Sequence, residues 1–115
     1  MASLAFGLPI LPGQTDAWNR LAEELQGPRR SEMAQLLRRA AVTVEHWYLQ
    51  PTPQGPLCIV YLEAADLARA FQVFAADAAP FARWYKQQLQ AIHGIDFNQP
   101  LPGPIAEAVL EVHAT

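Results

Sequence analysis

Leu57-Cys58-Ile59-Val60-Tyr61-Leu62 is an unbroken apolar run, closed by Glu63. A strand with one face in water alternates apolar and polar residues. This one does not, so it reads as a strand covered on both faces. Helices of the same chain can cover one face. The other needs a further cover, and a second copy of the protein would supply it.

Residues 51–56, Pro-Thr-Pro-Gln-Gly-Pro, have turn composition and join this strand to another over 42–50 as a hairpin. In the earlier strand Val42, Val44, His46 and Tyr48 share one face, and Thr43, Glu45, Trp47 and Leu49 the other. Its greater polarity suits a sheet edge, where charges discourage stray pairing. Residues 4–10 form a first strand, with Leu4, Phe6, Leu8 and Ile10 alternating with small residues; Pro9 cannot donate to a ladder and ends it. After the Pro12-Gly13 turn, Thr15 or Asp16 is the expected N-cap of a helix carrying Trp18, Leu21 and Leu25. Gly27-Pro28 interrupts it, and Met33, Leu36, Leu37 and Ala40 resume the apolar stripe.

Downstream, Asp66 caps an amphipathic helix with Leu67, Ala70, Phe71 and Phe74 on one face. Pro80 opens the next, which presents Phe81, Trp84, Tyr85, Leu89 and Ile92 and ends at Gly94. Residues 96–104 read as a loop. In 105–112 Ala and Glu favour helix, whereas Val109, Leu110 and Val112 favour a strand; a closing strand is the expectation. The order is then β-α-β-β-α-β: an α+β, ferredoxin-like domain with a four-stranded antiparallel sheet and the first and third strands central.

With 115 residues the chain makes one domain. Its apolar fraction of 51% against 17% charged is greasy for so small a surface, which again favours an oligomer. A net charge of −3 carries no basic excess and weighs against a nucleic-acid partner. Cys58 is the only cysteine, which excludes an intrachain disulfide and a cysteine-built zinc site; inside the buried strand it reads as a small core residue. Residues 1–10 lack the basic region of a signal peptide, and no stretch approaches a membrane span. The expectation is a cytoplasmic protein with no membrane partner.

Residues 6–13 leading into the first helix, the hairpin 44–63, and Phe81-Ala82-Arg83-Trp84-Tyr85 through His93-Gly94 give the chain a pattern that resembles the dimeric α+β barrel superfamily, which includes antibiotic-biosynthesis-type and haem-degrading monooxygenases. The resemblance is one of topology over nearly the whole chain. It implies a homodimer through the sheet face and a ligand site between sheet and helices. It also implies, as one option, cofactor-independent monooxygenase chemistry on a small aromatic or apolar ligand. Fold-level likeness does not transfer a reaction, and a non-catalytic binding or dimerisation module stands beside it.

His93, in the last turn of its helix, is the first candidate acid/base. Haem-binding members of the superfamily use a helix-borne histidine, so the resemblance makes His93 an axial ligand in a haem alternative; otherwise no cofactor is expected. The structural alternative for His93 is an interaction with the helix dipole. His46 is the second candidate base if its strand face lines the pocket, and is solvated if that strand is an edge. Tyr61, Trp47, Tyr48, Trp84 and Tyr85 are the candidate ligand-lining aromatics, with core packing as the plain alternative. The three histidines lack short metal-binding spacing, so no metal site is expected. Arg29, Arg30, Arg38 and Arg39 point in different directions at helical spacing and read as surface partners of Glu23, Glu24 and Glu32. No motif fixes a reaction.

Overall fold

The computed structural model describes residues 2–99 and 106–114. Strands β1 (Ala2–Pro9), β2 (Val42–Gln50) and β3 (Leu57–Ala64) form one antiparallel sheet in the order β1-β3-β2. Helices α1 (Thr15–Gln26) and α2 (Arg30–Arg39) lie between β1 and β2, and α3 (Leu67–Ala76) and α4 (Pro80–His93) follow β3. The apolar run at 57–62 is thus the central strand of an α+β domain whose topology is compatible with the ferredoxin-like plan. Phe6 and Trp47 oppose Val60 from either side, which fixes the register.

Burial along β3 alternates. Cys58, Val60, Leu62 and Ala64 are buried, while Leu57, Ile59, Tyr61 and Glu63 keep part of their surface. The expectation of a strand buried on both faces therefore fails within one chain. The even-numbered face joins Leu8, Leu21, Leu36, Leu89 and Ile92 in a single core beneath the helices. On the odd-numbered face Ser3, Ala5 and Gly7 of β1 flank Glu63, Tyr61 and Ile59, with Val44, His46 and Tyr48 of β2 on the other side. No described element lies over that face.

Local chemistry explains the element ends. Gly27-Pro28 splits the first helical region at the expected place. The N-cap of α1 is Gln14 rather than Thr15 or Asp16, without a side-chain bond; Asp16 sits in the first turn, where the helix dipole favours it. Asp66 does cap α3, its Oδ1 accepting from the Arg69 N–H at 3.1 Å. Pro80 opens α4, and Gly94 closes it in the left-handed conformation at φ 73°.

Lys86 is a structural residue that its sequence context hides. Only 2% exposed, its Nζ donates to the carbonyls of Phe74 (2.7 Å), Ala75 (3.1 Å) and Asp77 (2.9 Å). The ammonium thus serves carbonyls at the end of α3, where helical partners run out, and shares that of Phe74 with the Asp77 N–H at 3.2 Å. Burial pulls its pKa down, opposed by the Asp77 carboxylate. Arg39 pairs with Asp77 at 2.8 Å and ties α2 to the same turn. Of the expected surface pairs, Arg29 meets Glu24 and Glu32, both at 3.4 Å.

The C-terminal segment departs from expectation. Residues 106–114 form neither helix nor strand and are exposed throughout, so the fourth strand expected over 105–112 is not formed there; Ile105 itself lies outside the described residues. Val109, Leu110 and Val112 are 91%, 78% and 79% exposed. Strand propensity reflects packing on a pleated surface and does not hold a strand without a ladder. With no fourth strand, β1 is a sheet edge among the described residues rather than a central strand.

Candidate functional site

A bulge decides what the sheet presents to the helices. Val42 pairs with Ala64 but Val44 pairs with Glu63, so Thr43 is an extra residue, its hydroxyl donating to the Glu63 carbonyl at 3.2 Å. Bulges re-aim the side chains that follow. Val42 faces the core, and beyond the bulge it is Glu45 and Trp47 that turn inward, opposite Leu62 and Val60. Val44, His46 and Tyr48 turn to the open face. The expected grouping of Val42 with Val44, His46 and Tyr48 is broken at Thr43.

Glu45 consequently places a carboxylate under the sheet. Its Oε2 accepts from the Trp47 indole N–H at 2.8 Å and from the Tyr85 hydroxyl at 3.3 Å. Trp47 lies two residues away on the same strand face, and Tyr85 reaches across from α4. Neither bond goes to Oε1, which takes no hydrogen bond from a described residue. Burial raises the Glu45 pKa, and the two donors pull against it. The Tyr85 phenol is pushed well above its usual range by burial and then by the neighbouring carboxylate, so it stays a donor.

The group sits on an almost wholly apolar cavity of about 70 Å³ between sheet and helices, walled by Phe6, Val60, Phe71, Phe74 and Leu89 among others. That volume holds a few waters or a very small ligand. Cys58 also faces it. Burial pushes the thiol up to about 11, Trp18 lowers it by hydrogen bonding, and the Glu45 charge raises it, so it stays protonated and is no nucleophile. The buried Trp18 indole N–H finds no nitrogen or oxygen acceptor among the described residues. Its ring stacks on Trp47 with centroids 6.0 Å apart.

His93 lines the same cavity and is 3% exposed. Its Nδ1 lies 2.7 Å from the Pro9 carbonyl, which can only accept. Nδ1 therefore carries the proton, and Nε2 is the basic nitrogen. Burial lowers the His93 pKa, with the Pro9 bond opposing, so the ring is neutral near pH 7. His93 lies two helical turns beyond Tyr85, about 12 Å along the axis, and makes no hydrogen bond with Glu45.

Outside this cavity, a groove of about 530 Å³ runs along β2 beside α1 and α2. Leu37, Glu45 and Trp47 border both spaces and form the partition between them. His46 and Tyr48 line only the groove.

The sequence candidates thus separate. His93, Trp47 and Tyr85 meet at the cavity; His46 and Tyr48 stand on its outside. Tyr61 is on the open sheet face, where its hydroxyl donates to Glu63 Oε2 at 2.7 Å, and it borders neither space. Trp84 also borders neither; it packs on Phe81 and under the Arg29 guanidinium, 4.0 Å from its ring centroid. Glu45 was missed as a site residue. The signal available was its place in alternation with Trp47 and Leu49, the bulkier of the two faces beyond Thr43.

A haem does not fit the cavity. Pockets that enclose drug-sized ligands measure roughly 300–1,000 Å³, against about 70 Å³ beside His93. Among the described residues no three of His, Cys, Asp and Glu come together to hold a metal ion. No helix among them is long and apolar enough to cross a membrane. The protein is of the α+β class, with helices on one face of an antiparallel sheet and a half-buried carboxylate between the layers. No protein-family model matches the chain, and no curated protein matches it at a significant level.

Proposed function

We propose that the protein binds a small aromatic or apolar molecule between its sheet and its helices, with Glu45 as the anchoring and proton-transferring group. The observation that carries this reading is the Glu45 carboxylate itself: half-buried on the partition between cavity and groove, held through Oε2 by Trp47 and Tyr85, with no hydrogen bond to Oε1 from a described residue. A ligand donor at Oε1 would add a charge-assisted hydrogen bond to a carboxylate already held in place. Desolvation also moves a carboxyl towards the range in which it works as an acid or base near neutral pH. Cofactor-independent monooxygenase chemistry, which the resemblance implies, would begin with deprotonation of the substrate; in this proposal Glu45 takes the role expected of His93 or His46.

The working unit in this proposal is a homodimer that covers the open sheet face, where Ile59, Tyr61 and Val44 stand beside the small residues of β1. In the dimer the exposed 106–112 segment is free to form the missing strand.

The test is a titration with phenol, followed by tryptophan fluorescence because Trp47 touches Glu45. Saturable binding that Glu45→Gln weakens at least tenfold supports the site; absence of binding, or equal binding to both proteins, overturns it. Sedimentation velocity over a wide concentration range checks the dimer, and a monomer at every concentration removes that part.

A further inference from the structure

We infer that the groove beside β2 is the outer half of the Glu45 site, and that the ligand class is a phenolic or similar planar aromatic acid: its donor reaches Glu45, its ring lies along the tryptophans, and its anionic end meets Arg30. The inference rests on Glu45 being the anchor.

Size is the first argument. The cavity of about 70 Å³ is too small for an aromatic molecule, whereas the groove of about 530 Å³ falls in the range of small-molecule sites. The two share the partition made by Leu37, Glu45 and Trp47. A ligand lying in the groove can therefore reach the carboxylate without entering the core whole.

Charge and shape make the second. Glu45 is the only carboxylate on the groove wall and Arg30 the only arginine or lysine. Arg30 is exposed and forms no ion pair with a described residue, unlike its neighbour Arg29. The same wall carries Trp18, stacked on Trp47, together with Met33 and Leu25. One acceptor, one guanidinium without an ion-pair partner among the described residues and an aromatic surface on one wall suit a ligand with a donor, a flat body and an anion. Gln26 and His46 on the same wall add no opposing negative charge. Arginine is suited to a carboxylate because its planar fork binds both oxygens.

The test compares phenol with 4-hydroxybenzoate, 4-hydroxyphenylacetate and 3-(4-hydroxyphenyl)propionate, which step the anion outward from the same donor. Dissociation constants are measured for wild type, Arg30→Ala and Glu45→Gln. At least one acid should bind about fivefold tighter than phenol, the size of a solvent-exposed ion pair. Arg30→Ala should erase that gain and leave phenol unchanged. If phenol binds in a Glu45-dependent way but no acid gains, or the gain survives Arg30→Ala, the groove assignment is overturned and the anchor stands. If neither phenol nor any acid binds, both fall.

Discussion

Two tyrosine–glutamate pairs sit on opposite faces of the same sheet. Tyr85 donates to Glu45 at 3.3 Å beneath it, and Tyr61 donates to Glu63 at 2.7 Å above it. The outer pair is shorter, yet the inner one is the proposed site. Inside, desolvation dominates: it raises both Glu45 and Tyr85. Outside, the largest influence on Tyr61 is its hydrogen bond to Glu63, which raises it, and solvent offers both groups alternatives. Bond length between two groups says little about function until the medium around them is known.

The contrast between the faces can be broken most sharply by truncation. Leu62→Ala removes a buried side chain of the covered face and should cost about 2–5 kcal/mol in chemical denaturation. Ile59→Ala, three residues away on the open face, should cost less than about 1 kcal/mol in the monomer because part of its surface is already wet. In the proposed dimer its larger effect should be on the dissociation constant. Equal losses of monomer stability for the two variants would mean that a segment of the chain covers the open face after all.

The covered face holds two desolvated titratable groups, half-buried Glu45 and buried His93, with opposite signs, and pH separates them. Glu45 has a raised folded-state pKa, so it takes up protons more readily folded than unfolded. Its contribution is fully present below its ordinary value of 4.5 and is lost as pH rises through the folded-state pKa. His93 is depressed by burial, so its contribution is fully present above 6.5 and is lost as pH falls through its lowered pKa. The stability of Glu45→Gln relative to wild type should therefore improve as pH rises from 4.5. That of His93→Asn, which keeps a donor for Pro9, should improve as pH falls from 6.5. Urea midpoints measured across that range read both slopes, and parallel curves for wild type and either variant would place that group in solvent.

These expectations depend on features of unequal legibility in the sequence. The bounds of β2, the break at Gly27-Pro28, the Asp66 cap and the Gly94 stop follow from local chemistry and are where composition places them. The inside and outside of β3 could not be told apart, because both its faces are apolar and only the helices choose between them. Glu45 was hidden by the Thr43 bulge: one extra residue exchanges the faces of everything after it, and nothing in Val-Thr-Val announces it. The segment 105–112 has strand-like composition, but a strand also needs a partner edge, and residues 106–112 make no such pairing within the described residues. Lys86 reads as a solvated helix residue because its three acceptors come from the end of another helix.

The smallest expected effect separates the two tyrosines themselves. Tyr85→Phe deletes the hydroxyl that Glu45 Oε2 accepts from, on a side chain only 3% exposed, and should cost about 1 kcal/mol. It should also shift the Glu45 titration upward, since one of the two bonds that favour the charged form is gone. Tyr61→Phe deletes a shorter bond, but Glu63 recovers its partner from solvent, so the monomer should unfold at the same denaturant concentration. The open face then supplies the remaining discrimination. If two copies meet across it, the Tyr61 hydroxyl and Glu63 lose that solvent on assembly, and Tyr61→Phe changes dimer affinity while leaving monomer stability alone. A change in neither quantity would mean that Tyr61 stays in water in every state of the protein, and the partner would then have to cover the sheet elsewhere than over β3.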